Sequence, residues 1–99
     1  MRRSSFRIVF EELDLPFVYI LRCRDGSFYT GAARDLAARL RQHEAGRGAR
    51  YTRSRRPLCL VWSRRVRSWR AALREEHRIK RLARRDKEGL VGAGKGARA

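Results

Sequence analysis

The 99-residue sequence has no long apolar segment, few cysteines and few acidic residues, and each shortage excludes a class of protein. No apolar segment exceeds five residues, whereas a transmembrane helix needs about 20, so a membrane-spanning helix is excluded. Residues 1–7 are basic but are not followed by the apolar stretch of a secretory signal, which predicts a cytoplasmic protein. A chain of this length has room for one hydrophobic core and therefore for one domain.

Only two cysteines occur, Cys23 and Cys59, and they stand 36 residues apart without a C-x-x-C pair. Each lies within an apolar segment, so we expect two buried, reduced thiols. A zinc site would need more nitrogen or sulfur ligands at short spacing than this sequence offers.

Acidic residues are scarce: ten Asp and Glu stand against 26 Lys and Arg, which gives a formal net charge of +16. A surface this basic attracts polyanions, and nucleic acid is the most common polyanion of the cytoplasm. Arginine accounts for 23 of the basic residues, a bias that a GC-rich genome could produce by itself. Binding to nucleic acid is the favoured interpretation, with an anionic membrane surface and a purely solubilising charge as the alternatives.

The composition divides the chain into three segments. Residues 1–15 mix Arg, Glu and short apolar pieces, and we interpret them as an arm outside the core that adds at most one edge strand. Residues 16–91 contain the predicted domain. Residues 92–99 are rich in glycine and basic residues and are predicted to be a disordered tail.

Three segments of the domain have the composition of β-strands. Residues 17–23 and 27–31 are aromatic and β-branched, and residues 24–26 between them predict a hairpin turn. Residues 58–62 form a third apolar strand, which continues as an alternating segment.

Helices are predicted by apolar residues at helical spacing. This pattern covers residues 35–45, and two glycines end that helix. Ser68 is a suitable N-cap for a second helix over residues 69–83, and a short third helix is expected at residues 84–90. Because strands cluster early and helices late, the predicted class is α+β with a small, mainly antiparallel sheet.

The length of the hairpin turn decides whether Tyr19 and Tyr29 share one face of the sheet, because side chains alternate faces along a strand. A two-residue turn would place the phenols on opposite faces. A three-residue turn over residues 24–26 pairs Leu21 with Tyr29 and places both phenols on one face. Gly26 favours this turn, since its third position needs a positive φ. We therefore expect an odd-length loop.

Several polar side chains break the pattern of their elements. Arg39 and His43 lie one turn apart on the apolar face of the first helix, where a guanidinium costs desolvation energy unless an anion meets it. A phenol or imidazole can move a proton, an arginine can neutralise a phosphate, and a carboxylate can hold a divalent metal. Phosphodiester hydrolysis uses such a set, although each residue by itself also fits a structural role. The residues concerned are Tyr19, Tyr29, Arg39, His43, Glu75 and Glu76.

Two short motifs, Val18-Tyr19-Ile20 and Tyr29-Thr30-Gly31, precede Arg39 and His43, which follow the glycine by eight and twelve residues. This arrangement resembles the GIY-YIG nuclease domain. The later segment Glu75-x-x-x-Ile79-Lys80 is similar to the metal-binding helix of that family. Many nucleases of the family also carry a late asparagine near the site, and this sequence contains none.

A second segment of the sequence resembles one particular branch of the family. Residues 48–53, read as Gly-Ala-Arg-Tyr-Thr-Arg and followed by Pro57, are similar to the small single-domain branch of the family, which is related to the nuclease domain of the excision-repair protein UvrC. The resemblance covers residues 17–91.

The resemblance implies a three-stranded antiparallel sheet flanked by helices and one Mg²⁺ or Mn²⁺ ion bound by Glu75. It implies that Tyr19 is the general base and that Tyr29 orients water or phosphate. It further implies that Arg39 holds the phosphate and that His43 assists proton transfer. A free phenol has a pKa of ~10, which a nearby cation would lower toward neutral pH.

Helical periodicity does not decide between Glu75 and Glu76. At about 100° per residue, Glu76 points closer to the centre of the apolar stripe than Glu75 does. The spacing to Ile79 and Lys80 favours Glu75, which is the preferred metal ligand at this stage.

The basic loop that follows the first helix is the expected nucleic-acid-binding surface, because its position should bring it to the rim around Tyr19 and Arg39. The predicted contacts are Arg47, Arg50, Tyr51, Arg53, Arg55 and Arg56. The leading hypothesis is a divalent-metal-dependent DNA endonuclease or nickase that acts on structured or damaged DNA in DNA repair or processing. Its rivals are a nucleic-acid-binding module without turnover and an RNA-associated protein whose tyrosines stack bases.

Overall fold

A computed structural model describes residues 15–98, with side chains described over residues 15–92, so the predicted arm lies outside the described residues except for Leu15. The described part has three strands and four helices. In chain order they are β1 (Phe17–Arg22), β2 (Phe28–Ala33), α1 (Leu36–Glu44), α2 (Arg50–Arg53), β3 (Cys59–Arg65), α3 (Trp69–Lys80) and α4 (Arg84–Arg98). Over this part of the chain, no helix combines the length and the apolar character that a membrane crossing demands.

The three strands form one antiparallel sheet in the order β2-β1-β3, which confirms the predicted α+β class. The central strand β1 is buried on both faces. Val18 and Ile20 pack against α3 and α4, whereas Tyr19 and Leu21 pack against α1. Burial of apolar side chains of this size contributes about 1.5–3 kcal/mol each. The sheet therefore separates two small cores, and the phenol of Tyr19 belongs to the one beneath α1.

The hairpin between β1 and β2 has the expected three-residue loop. Leu21 pairs with Tyr29, the N–H of Cys23 donates to the carbonyl of Ser27 at 2.8 Å, and Gly26 has a φ of 85°. The positive φ is accessible to glycine without strain. Both phenols consequently lie on the α1 face of the sheet.

The expectation of two buried thiols is correct for Cys23 and wrong for Cys59. Both cysteines are free, but Cys59 is exposed. It is the first residue of β3, an edge strand, and it pairs with the exposed Arg22 at the end of the sheet. Cys59 is therefore exposed although its neighbours in the sequence are apolar, because no described helix covers this end of the strand pair.

The last helix is longer than predicted. Instead of ending at residue 90 before a disordered tail over residues 92–99, α4 continues to Arg98. Glycine lowers helix propensity by about 1 kcal/mol per residue but does not block helical geometry, and no proline interrupts this segment. The buried Val91 anchors the helix to the core that contains Val18 and Ile20.

Candidate active site

The two phenols of the hairpin meet at the buried imidazole of His43. The hydroxyl of Tyr19 lies 2.8 Å from Nε2 of His43, and both side chains are almost fully buried. The ring of Tyr29 packs edge-on against the same imidazole, with 5.4 Å between ring centroids. The register of the hairpin thus places both tyrosines on one face of the sheet, where both contact the same imidazole.

His43 reaches the sheet because of how α1 begins and repeats. Asp35 caps the helix by accepting a hydrogen bond from the N–H of Ala38 at 3.0 Å. From that start, helical spacing brings His43 to the face that also carries Leu36 and Leu40, and these leucines pack on Tyr19.

Hydrogen bonds on both sides assign the tautomer of His43. Its Nδ1 lies 3.0 Å from Oγ1 of Thr52, and that hydroxyl donates its one proton to the carbonyl of Ala49. Thr52 can therefore only accept from His43, so Nδ1 carries the proton and Nε2 presents a lone pair. The phenol of Tyr19 consequently donates to Nε2, which leaves the imidazole ready to receive that proton.

Burial keeps both members of this pair neutral. Burial raises the pKa of Tyr19 to about 12, against the opposing effect of the nearby Arg39 guanidinium. Burial also lowers the pKa of His43, and the positive charge of Arg39 adds to that effect. The expectation that a cation lowers the phenol's pKa toward neutrality is wrong as a net result, because desolvation outweighs the guanidinium.

The neighbouring glutamates lie on opposite flanks of the buried stripe of α3, which contains Ala72 and Ile79. Oε2 of Glu75 lies 3.1 Å from Arg64 and 2.6 Å from Arg78, and hydrogen bonding by Arg78 lowers the pKa of Glu75. Arg64 pairs with Val18 across the sheet, so Glu75 lies over β3 on the face that does not carry the phenols.

Glu76 lies on the other flank of α3. Its carboxylate forms an ion pair with Lys80 at 3.0 Å, and its negative charge raises the pKa of Tyr19. Glu76, and not Glu75, is therefore the carboxylate whose field acts on the phenol. The sequence-based preference for Glu75 rests on the spacing to Ile79 and Lys80, and that spacing does not tell on which flank of α3 each carboxylate lies.

The fold and this geometry are matched by known proteins. A family model described as the GIY-YIG catalytic domain matches residues 15–89. The chain belongs to the GIY-YIG family. A UPF0213 protein of Staphylococcus aureus (strain Mu3) is 44% identical over 79 residues, which cover 80% of this chain and 96% of the relative.

Two solution NMR structures share the fold. The UPF0213 protein BH0048 from Bacillus halodurans is 46% identical, has a TM-score of 0.53, and is matched over 79% of this chain and 83% of that one. Protein EF2693 from E. faecalis is 31% identical with a TM-score of 0.57, over 82% and 86% of the two chains. GIY-YIG domains are nuclease domains that act on DNA, so the family supports a nuclease-type function on a DNA substrate.

Beside the GIY-YIG tyrosines, the loop around α2 supports the site. Tyr51 stacks on Tyr29 with 6.1 Å between centroids, and the guanidinium of Arg55 lies 3.8 Å from the centroid of the Tyr51 ring. Arg55 also forms a 3.1 Å ion pair with Asp25 in the hairpin loop. The Tyr51 ring thus contacts both Tyr29 and Arg55 and is still 38% exposed, so its contact with nucleic acid stays a prediction.

The arginines predicted to bind nucleic acid therefore fall into two groups. Arg55 is held by its contacts with Tyr51 and Asp25, and Arg56 donates to the carbonyls of Arg53 and Glu44, which fixes the loop on the end of α1. A second group has exposed side chains for which the structure records no such contact within the described residues. Its members are Arg47, Arg50 and Arg53.

Sequence reasoning missed three residues that position the catalytic candidates. Thr52 orients His43. It lies in the segment of residues 48–53 that resembles the family, but the resemblance implies no role for it. A Cβ at Gly31 would lie 2.5 Å from the Tyr19 hydroxyl, and a Cβ at Gly48 would overlap Nδ1 of His43. The glycines are visible in the sequence, but the side chains that approach them are not.

We expect Gly31→Ala to displace the Tyr19 phenol, because the added methyl group would also lie 2.7 Å from its Cζ and the ring is packed on all sides. Overpacking of this kind costs about 1–3 kcal/mol. Thermal unfolding should therefore shift to lower temperature, and nicking of plasmid DNA should fall with it. Gly89→Ala is the control, since nothing lies within 4 Å of its added Cβ and alanine favours the helix by about 1 kcal/mol. Equal stability and activity of the two variants would contradict the prediction.

Proposed function

We propose that this protein is a divalent-metal-dependent endonuclease that nicks DNA, with Tyr19, Tyr29, Arg39 and His43 as its catalytic residues. The observation that carries the proposal is the buried hydrogen bond between Tyr19 and Nε2 of His43. The tautomer of this imidazole is fixed by its hydrogen bond to Thr52. A structural tyrosine needs only a hydrogen-bond partner. This phenol has a partner that is itself oriented to accept a proton, beside a guanidinium suited to a phosphate.

A phenol with a pKa of about 12 is protonated at neutral pH, so it acts as a base only if it loses its own proton in the same step. In the proposed step, a water molecule gives a proton to Oη of Tyr19 while the phenol passes its proton to Nε2 of His43. The hydroxide attacks phosphorus, and the imidazolium is stabilised by the Nδ1–H bond to Thr52. The bond from phosphorus to the leaving oxygen then breaks, and that oxygen is protonated from solvent.

Arg39 is the proposed phosphate-binding residue. Its side chain is half-buried beside Tyr19, where its charge opposes the rise in the phenol's pKa. A guanidinium in this position would neutralise the charge that develops on the non-bridging oxygens. The hydroxyl of Tyr29, on the same face, would orient the attacking water or the phosphate.

Glu76 is the proposed ligand for one Mg²⁺ or Mn²⁺ ion, in place of Glu75. Mg²⁺ uses one or two carboxylates and completes its shell with water and substrate phosphate, so a single glutamate fits its chemistry. The described residues hold no group of three or more His, Cys, Asp or Glu suited to a metal. When bound, the ion would act as a Lewis acid on the phosphate. Its binding would release Lys80 from the carboxylate.

The exposed arginines of the α2 loop are the proposed contacts with the DNA backbone, and they border the site through Tyr51 and Tyr29. The net charge of +16 supports this assignment, because phosphate neutralisation dominates DNA affinity. We propose that the protein works in the cytoplasm, in DNA repair or processing.

The test is the conversion of supercoiled plasmid to nicked circles. We expect nicking with Mg²⁺ or Mn²⁺, none with EDTA, and an unchanged gel-shift affinity in EDTA, because the arginines and not the metal carry most of the binding. Nicking that persists in EDTA would exclude the metal. DNA binding without nicking under either condition would instead assign the domain to the non-catalytic, nucleic-acid-binding alternative.

A further inference from the structure

The face of α3 that points away from the sheet carries a stripe of arginines. The helix packs on the core through Ala72 and Ile79. At about 100° per residue, Arg70, Arg74 and Arg81 lie together on the opposite side. From Arg70 to Arg81 this stripe is roughly 16 Å long, at about 1.5 Å per residue.

The stripe lines an open groove of about 1200 Å³ between α3 and the end of β3. Among the described residues that line the groove, Glu75 is the one acidic residue, and Arg64 and Arg78 already bind it. Arg65 also lines the groove, but its guanidinium lies 4.6 Å from the centroid of the Phe17 ring, on the other face of the sheet. Among the described residues, the six other arginines against one glutamate leave a net charge of +5 in this groove. They are Arg64, Arg67, Arg70, Arg74, Arg78 and Arg81.

This charge is destabilising in the free protein. Arg70 and Arg74, and Arg74 and Arg78, are spaced four residues apart on one helix, and like charges at this spacing repel each other. A polyanion would remove that repulsion. The described lining includes no Phe, Tyr or Trp, and Leu73 is its one large exposed apolar side chain, so the surface offers little for insertion into a lipid bilayer. The phosphate groups of a nucleic-acid backbone match the arginines of this groove better than a lipid bilayer does.

We propose that this groove, defined by Arg64–Arg67 and the outer face of α3, is a second nucleic-acid-binding surface that holds a backbone segment separate from the one being cleaved. This inference depends on the proposed function in one respect, since it takes the face of the sheet that carries Tyr19 and Tyr29 as the catalytic face. Glu76 lies roughly 140° around α3 from the arginine stripe. Because α3 packs on the face of the sheet opposite to the phenols and the stripe points away from the sheet, we expect a straight duplex seated at the phenols to miss the stripe. We expect a DNA with two arms, or one bent sharply around α3, to contact both surfaces. Simultaneous contact at two surfaces raises affinity without any new contact at either one.

The test compares Arg70→Gln/Arg74→Gln with Arg85→Gln/Lys87→Gln, which removes the same charge from α4, outside the groove. Affinities for a three-way DNA junction and for a straight duplex of about 20 base pairs, two helical turns, are measured by fluorescence anisotropy in EDTA. The groove variant should bind the junction about ten-fold more weakly, with a salt slope smaller by about 2, while its affinity for the duplex stays the same. The control should affect both DNAs alike. Arg74→Lys, which keeps the charge, should keep junction affinity.

Because binding in EDTA does not need turnover, the result separates this inference from the proposed function. A groove-dependent junction affinity in a protein that nicks no plasmid would uphold the inference and refute the endonuclease proposal. The inference is overturned if both double variants weaken the two DNAs by the same factor, or if the groove variant leaves junction binding intact. It is also overturned if the groove variant reduces binding only to phosphatidylglycerol vesicles or only to an acidic peptide.

Discussion

Tyr19→Phe is expected to lower the nicking rate by about 10²–10⁴-fold, because it removes the hydroxyl that connects the attacking water to His43. The ring and its packing against Leu21, Leu36 and Leu40 remain, so the fold should persist. Nε2 of His43 loses its buried partner, which costs about 1–3 kcal/mol of unfolding free energy. Plasmid nicking under single-turnover conditions and thermal unfolding measure the two effects separately.

Tyr51→Phe is the matched control for the loss of a phenolic hydroxyl. Its ring keeps the stack with Tyr29 and the contact with Arg55, while its hydroxyl takes no part in the bonds around His43. We expect this variant to nick at the rate of the unaltered protein. If Tyr19→Phe also nicked at that rate, the proton relay through Tyr19 would be refuted, and His43 would have to act on water directly.

The features that the sequence predicted correctly are the ones governed by local chemistry. A glycine at the third position of a turn fixes the loop length, and that length fixes the register that brings Tyr19 and Tyr29 to one face. Helical spacing then brings His43 to the same face, starting from the cap at Asp35. These steps need only neighbouring residues and the periods of strands and helices.

The features that the sequence could not predict depend on which elements pack together. The pKa of Tyr19 depends on the depth of burial under α1, which outweighs the nearby cation. The exposure of Cys59 depends on β3 being an edge strand that the helices leave uncovered at its start. The choice between Glu75 and Glu76 depends on which strands α3 crosses, and no pattern within α3 itself contains that information.

Substitution of each glutamate in turn tests which of the two binds the metal. Glu76→Gln is expected to lower metal-dependent nicking by at least about 100-fold, because it removes the one charged ligand proposed for the ion. Its stability should change little, since the ion pair with Lys80 is a partly exposed pair four residues apart on a helix, worth about 0.3–0.5 kcal/mol. Affinity for DNA should stay equal or rise, because a carboxylate repels phosphate.

Glu75→Gln is expected to show the reverse pattern. It should nick at the unaltered rate but lose about 1 kcal/mol of unfolding free energy, because Arg64 and Arg78 lose their shared anion. Both substitutions remove one negative charge from adjacent positions of the same helix, so any general effect of charge is common to them. Loss of nicking in Glu75→Gln, with Glu76→Gln still active, would restore the assignment that the sequence spacing favoured. The proposed metal site would then have to form over β3, where the ion would compete with two guanidinium groups for one carboxylate.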